Sequence, residues 1–119
     1  MGTGYTLGKF GMTLITHGLS GELKDDGIAC NTLWPRTAIQ TAAVKNILGG
    51  DESIAKSRIP AIMSDSAHVI LTSCSKSTTD NFFMDDEVLI SNGQTIDDLQ
   101  KYMPVQGFPL HKLLPDFLC

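Results

Sequence analysis

Cysteine is scarce in this 119-residue chain: Cys30, Cys74 and Cys119 stand far apart and form no C-x-x-C pair. An odd count at wide spacing argues against a disulfide framework. His17, His68 and His111 fall at no ligand spacing with the cysteines, so no metal site is expected. Three reduced thiols fit an intracellular protein, with the cytoplasm as the first expectation and mitochondria or peroxisomes as alternatives. The C-terminal Phe117-Leu118-Cys119 is not a peroxisomal S-K-L signal, and Cys119 cannot head a C-a-a-X box. Basic residues are also few: 9 against 13 acidic ones, a formal net charge of −4. Such a chain has no expected nucleic-acid partner, because tracking phosphates requires a basic face. Long apolar runs are missing, so no membrane span is expected. The start, Met1-Gly2-Thr3-Gly4, lacks the charged and apolar regions of a secretory leader.

What is present suits a packed domain. Hydrophobic residues make up 42% and charged residues 18%, which is ordinary for a globular chain. Between residues 5 and 24, Leu7, Phe10, Leu14, Leu19 and Leu23 recur at helical steps and predict one buried stripe. Gly8, Gly11, Gly18 and Gly21 interrupt that helix, which predicts close approach of another element or a ligand. Asp25-Asp26-Gly27 predicts its end. Residues 28–34, apolar and bounded by Gly27 and Pro35, read as a buried strand. Helices are expected over 38–48, 52–58 and 60–72, with Pro60 at a first-turn position. Phe82-Phe83-Met84 reads as a short strand. From Ser91 onward Pro104, Gly107, Pro109 and Pro115 break any period. That stretch predicts an irregular, partly extended tail wrapped on a partner.

Tyr5 and Lys9 lie four apart on the first predicted helix and share a face. A phenol is a poor base at neutral pH, and a cation beside it favours the phenolate. Such a pair can exchange a proton with an alcohol or carbonyl oxygen. The spacing alone is weak, since chance produces Y-x-x-x-K in about one chain of this composition in eight. Its ordered context is stronger: a Gly-rich helix, a turn, then a buried strand ending in Asn31-Thr32-Leu33-Trp34-Pro35. In this order the chain resembles the short-chain dehydrogenase/reductase superfamily, and its hydroxysteroid dehydrogenase-like branch in particular. The segments from Leu33 to Ala43 and from Asp80 to Leu89, and the late Pro109-Leu110 and Pro115-Asp116-Phe117, carry that likeness.

The resemblance implies an α/β fold, the C-terminal half of a doubly wound, Rossmann-type parallel sheet. Residues 1–90 would belong to that domain and residues 91–119 would form its irregular tail. It implies an NAD(P)-dependent oxidoreductase that interconverts an alcohol and a carbonyl by hydride transfer. Tyr5 would be the general acid/base. Lys9 would favour its phenolate and hydrogen-bond the nicotinamide ribose. Pro35 and Ile39 would line the nicotinamide side, Arg36 would meet a cofactor phosphate, and Thr41 would approach the phosphates or the carboxamide. Asn31 reads as a strand-end residue. Two features of the family have no counterpart in the 119 residues: the T-G-x-x-x-G-x-G turn and the Ser about a dozen positions before the Tyr. The alternative reading is therefore a catalytically inactive piece that interacts with full-length relatives. Either reading predicts a homo-oligomer or pairing with a complementary half. Asp80 stands where the family usually has Gly, which matters if that position needs a positive φ.

Overall fold

The computed structural model describes residues 2–116. The expectations placed on Phe117, Leu118 and Cys119 lie outside the described residues. Helix α1 spans Thr3–Glu22. Its chain leaves through Leu23 to Gly27, where the Ile28 N–H donates to the Leu23 carbonyl and the Gly27 N–H to the Lys24 carbonyl. This paired closure requires a left-handed residue at Gly27, which has φ 70°. Strand β1, Thr32–Trp34, follows. A π-helical segment, Val44–Gly49, runs into the short α2, Gly50–Ile54. Then come α3 (Ala61–Leu71), β2 (Phe82–Met84) and α4 (Asp85–Ser91). Two 3-10 segments, Asp98–Tyr102 and Leu110–Lys112, close the described chain.

β1 and β2 pair in parallel, with Thr32 opposite Phe82 and Trp34 opposite Met84. A parallel pair needs a long crossover, and the helical segments between the strands supply it. The fold is therefore α/β, as the resemblance implies. The core is Ile62 of α3, Leu89 of α4, and Leu99 and Tyr102 of the first 3-10 segment, flanked by Ile39, Ile59 and Met63. The Ser66 hydroxyl donates toward the Asp85 carbonyl at 2.8 Å and ties α3 to α4.

Several expectations are corrected. The strand expected over 28–34 is only Thr32–Trp34. The helix expected over 38–48 begins late, because Thr37 bridges Pro115 and Ile39 bridges Arg58. The helix expected over 52–58 stops at Ile54; Arg58 is in extended chain, its N–H donating to the Ala38 carbonyl. The tail wraps on its own chain: the Ile59 N–H donates to the Tyr102 carbonyl, and the Leu114 N–H to that of Lys56. Leu7 and Leu14 of the expected buried stripe are 73% and 69% exposed. α1 instead turns its polar face inward, where Ser20 is buried and Thr13 meets Trp34. No other described element packs closely against Gly8, Gly11, Gly18 or Gly21.

Asp80 has φ 61°, the only non-glycine residue with positive φ among those described. The left-handed region suits Gly, and Asp tolerates it better than most residues. Two contacts hold it there. The Asp80 N–H donates to the Cys30 carbonyl at 2.8 Å, and its carboxylate lies 2.7 Å from His17 Nδ1 on α1. The His17 ring, with the Ser20 hydroxyl, holds that carboxyl below its usual range.

Candidate active site

Tyr5, Lys9 and Thr13 recur every four residues and so line one face of α1. The Trp34 indole N–H donates to Thr13 Oγ1 at 3.1 Å, and the Phe10 and Trp34 rings lie 6.2 Å apart. These contacts seat α1 against the end of β1. One turn away, the Lys9 ammonium lies 5.6 Å from the centre of the Tyr5 ring, which is half exposed. Asn31 stands just before the first residue of β1 and not at the strand end read from the sequence; its side-chain carbonyl accepts from the Asn81 backbone and side chain at 3.1 and 2.9 Å.

Both groups open onto one cavity of about 830 Å³, whose walls include Tyr5, Lys9, Trp34, Pro35, Ile39, Thr41 and Met63. That volume suits a cofactor-sized ligand. Of the residues read from the sequence, the structure brings Tyr5, Lys9, Pro35, Ile39 and Thr41 to this cavity. The Thr41 hydroxyl also accepts the Val44 N–H at 3.3 Å and so starts the following helical turn.

Arg36 is not among the wall residues. Its Nε donates to both Asp86 carboxylate oxygens, at 2.8 and 2.7 Å, and its Nη2 to Glu87. The Asp86 hydrogen bond raises the Arg36 pKa above its usual value. Asp85 is fully buried beside it. Its Oδ1 accepts the Arg36 backbone N–H at 3.0 Å and the Asp86 N–H at 2.8 Å. Burial nonetheless pushes the Asp85 carboxyl up.

Sequence reading missed further walls: Met12, Thr13, Leu114 and Pro115. Thr13 carried a signal, the continued four-residue spacing after Tyr5 and Lys9. Leu114 and Pro115 carried none, since the Thr37–Pro115 bridge that brings them in is long-range.

The walls fit the nicotinamide-ribose half of a dinucleotide. Pro35, Ile39 and Met63 offer flat apolar surface, and Lys9, Tyr5 and Thr41 offer polar groups. Thr32, another wall residue, has a buried hydroxyl oxygen without a hydrogen-bond partner, the kind of group a ligand amide or hydroxyl satisfies. Among the described residues no group of three His, Cys, Asp or Glu side chains is placed to hold a metal ion. No described helix is long and apolar enough to cross a membrane.

A parallel α/β unit with Tyr and Lys on one helix facing the end of the next strand defines a class, and the chain belongs to the short-chain dehydrogenase/reductase superfamily. Its relatives make the branch specific. The chain is 46% identical over 113 residues to hydroxysteroid dehydrogenase-like protein 2 of Xenopus laevis, covering 95% of this chain and 25% of that protein. The Danio rerio protein of that name is 41% identical over 115 residues, covering 97% and 26%, and the human one 39% over 113 residues, covering 95% and 25%. Among solved structures, a short chain dehydrogenase of Mycobacterium thermoresistibile superposes with a TM-score of 0.79 at 46% identity, covering 96% of this chain and 39% of that one. A Xanthomonas campestris structure gives 0.81 at 44% identity, covering 98% and 40%. The chain thus spans about a quarter of the length of the curated relatives it matches. No family model matches it.

Proposed function

We propose that the chain is part of an NAD(P)-dependent oxidoreductase that interconverts an alcohol and a carbonyl. The observation that carries this is the shared wall: Tyr5 and Lys9 side by side on α1, with Pro35, Ile39 and Thr41 facing the same cavity. When bound, the nicotinamide supplies or accepts the hydride. Tyr5 is the general acid/base: its hydroxyl gives a proton to the carbonyl oxygen in reduction, and its oxyanion takes the proton from the alcohol in oxidation. Lys9 holds the ribose and keeps a positive charge beside the phenol. Pro35 and Ile39 shield one face of the ring from water, and Thr41 holds a polar edge of the cofactor. Cys30 and Cys74 are free thiols, which supports an intracellular, cytoplasmic setting.

The second reading is an inactive partner of full-length relatives. The outward face of α1 favours it, because Leu7, Leu14 and Ile15 are strongly exposed there and patches of this kind mark association surfaces. The same face suits a homo-oligomer or a complementary half of the fold.

Titration with NADH and NADPH separates the readings, using energy transfer from Trp34, the only tryptophan and a wall residue. Saturable micromolar binding is expected, with Lys9→Met weakening it about tenfold. Tyr5→Phe leaves binding within about twofold and lowers turnover of small secondary alcohols by about 100-fold or more. No saturable binding by the chain sinks the enzymatic reading.

A further inference from the structure

The densest ionic cluster in the described chain lies behind the cavity wall. Arg36 and Arg58 meet Asp85, Asp86 and Glu87 at the start of α4. Arg58 and Asp85 are almost fully buried, at 2% and 0% exposure. A buried ion cluster is weak ground for stability, since desolvation offsets much of the attraction. Its geometry says more. The Arg36 backbone N–H donates to Asp85 Oδ1. The Arg58 N–H donates to the Ala38 carbonyl at 3.0 Å, and the Gln40 N–H donates to the Arg58 carbonyl at 2.9 Å. Arg36, Ala38 and Gln40 are thus each held by Asp85 or Arg58. Pro35, Ile39 and Thr41 alternate with Arg36, Ala38 and Gln40 and line the cavity, as the two-residue period of extended chain requires. Ala38 does both.

Nothing local demands this arrangement. Residues 35–41 have no strand partner beyond the single bridge from Ile39 to Arg58 and that from Thr37 to Pro115. The Arg58 backbone bonds are those of the Ile39–Arg58 bridge, so what the cluster itself adds is the Asp85 hold on the Arg36 N–H and the Arg36 side-chain pairs with Asp86 and Glu87. Asp85 is the hub: one oxygen collects the Arg36 and Asp86 N–H groups, and Arg58 Nη1 lies 3.8 Å away.

We propose that Asp85 is a positioning residue, whose carboxylate grips the Arg36 backbone and, with the Arg36–Asp86–Arg58 pairs, sets the wall of residues 35–41 for the nicotinamide. The role in cofactor binding rests on the dehydrogenase reading; the grip on the loop does not.

Asp85→Ala removes the acceptor, and Asp85→Asn keeps one in the same place. The Ala variant is expected to weaken NADH affinity about tenfold, read by energy transfer from Trp34, and to speed hydrogen exchange of the Arg36 amide. The Asn variant is expected to restore both to within about twofold. A lower melting temperature with NADH affinity and Arg36 exchange unchanged overturns the proposal. If Asp85→Ala does not fold, the unsubstituted chain supplies the test by NMR. The Arg36 amide must then titrate with the Asp85 carboxyl carbon, and an amide shift that ignores that midpoint overturns the proposal. Absence of NADH binding by the unsubstituted chain overturns the dehydrogenase reading instead, and the grip of Asp85 is then judged on the Arg36 amide alone.

Discussion

Asp80 shows how one side chain settles a conflict between backbone and sequence. A position with φ 61° favours Gly, yet the carboxylate reaches His17 on α1 and joins that helix to the start of β2. Gly would relax the backbone and lose the link. Because the folded chain holds the Asp80 carboxyl low, its contribution to stability is present above the ordinary Asp value and is lost as pH falls through the folded one. Asp80→Asn keeps tolerance of the left-handed region and removes the charge. Its melting temperature is expected to lie below that of the parent at pH 7, with the gap narrowing as pH falls below the ordinary Asp value in thermal scans. Asp85 runs the other way. Its raised carboxyl contributes below the ordinary Asp value, and that contribution is lost as pH rises through the folded value.

At the scale of elements, the helices that hold the fold are not the longest one. α1 has 20 residues and only Ser20 buried, whereas the seven-residue α4 buries Asp85, Asp86, Val88 and Leu89. Leu89 meets Ile62 of α3 and Tyr102 in the core. Leu89→Ala is expected to cost about 2–5 kcal/mol, from lost burial plus the cavity left behind, measured by urea unfolding. α3 was legible in the sequence because Pro60 marks its start and its apolar residues keep helical period. α4 was not, because its first turn is three carboxylates, and only long-range partners, Arg36 and Arg58, make the burial of Asp85 and Asp86 tolerable.

At the scale of the whole molecule, the described chain leaves apolar surface uncovered. Leu7, Leu14 and Ile15 on α1 face solvent, and Phe82 at the start of β2 is 56% exposed. Surfaces of this size invite association, and a two-stranded sheet has two open edges. The chain is therefore expected to self-associate in sedimentation velocity runs. Leu14→Lys with Ile15→Lys is expected to shift it toward monomer without loss of helical circular dichroism, since neither residue is buried. A chain that sediments as a monomer before substitution removes the oligomer from the proposed function.

Local pattern alone determined a helix carrying Tyr5 and Lys9 near its start, the turn at Gly27 that follows it, a strand stopped by Pro35, and the helix after Pro60, because periodicity and turn residues act within a few positions. Family likeness added the expectation that Tyr5 and Lys9 face a cavity beyond the strand, and both line one. Tertiary structure alone decided which face of α1 turns inward, since Thr13 and Ser20 find partners there while the leucine stripe does not. It also decided that the tail packs on its own core and that Arg36 binds α4. Those outcomes depend on groups 21 or more positions apart in the chain, as with Thr13 and Trp34, Arg36 and Asp86, or Thr37 and Pro115, and no short window of sequence encodes such distances.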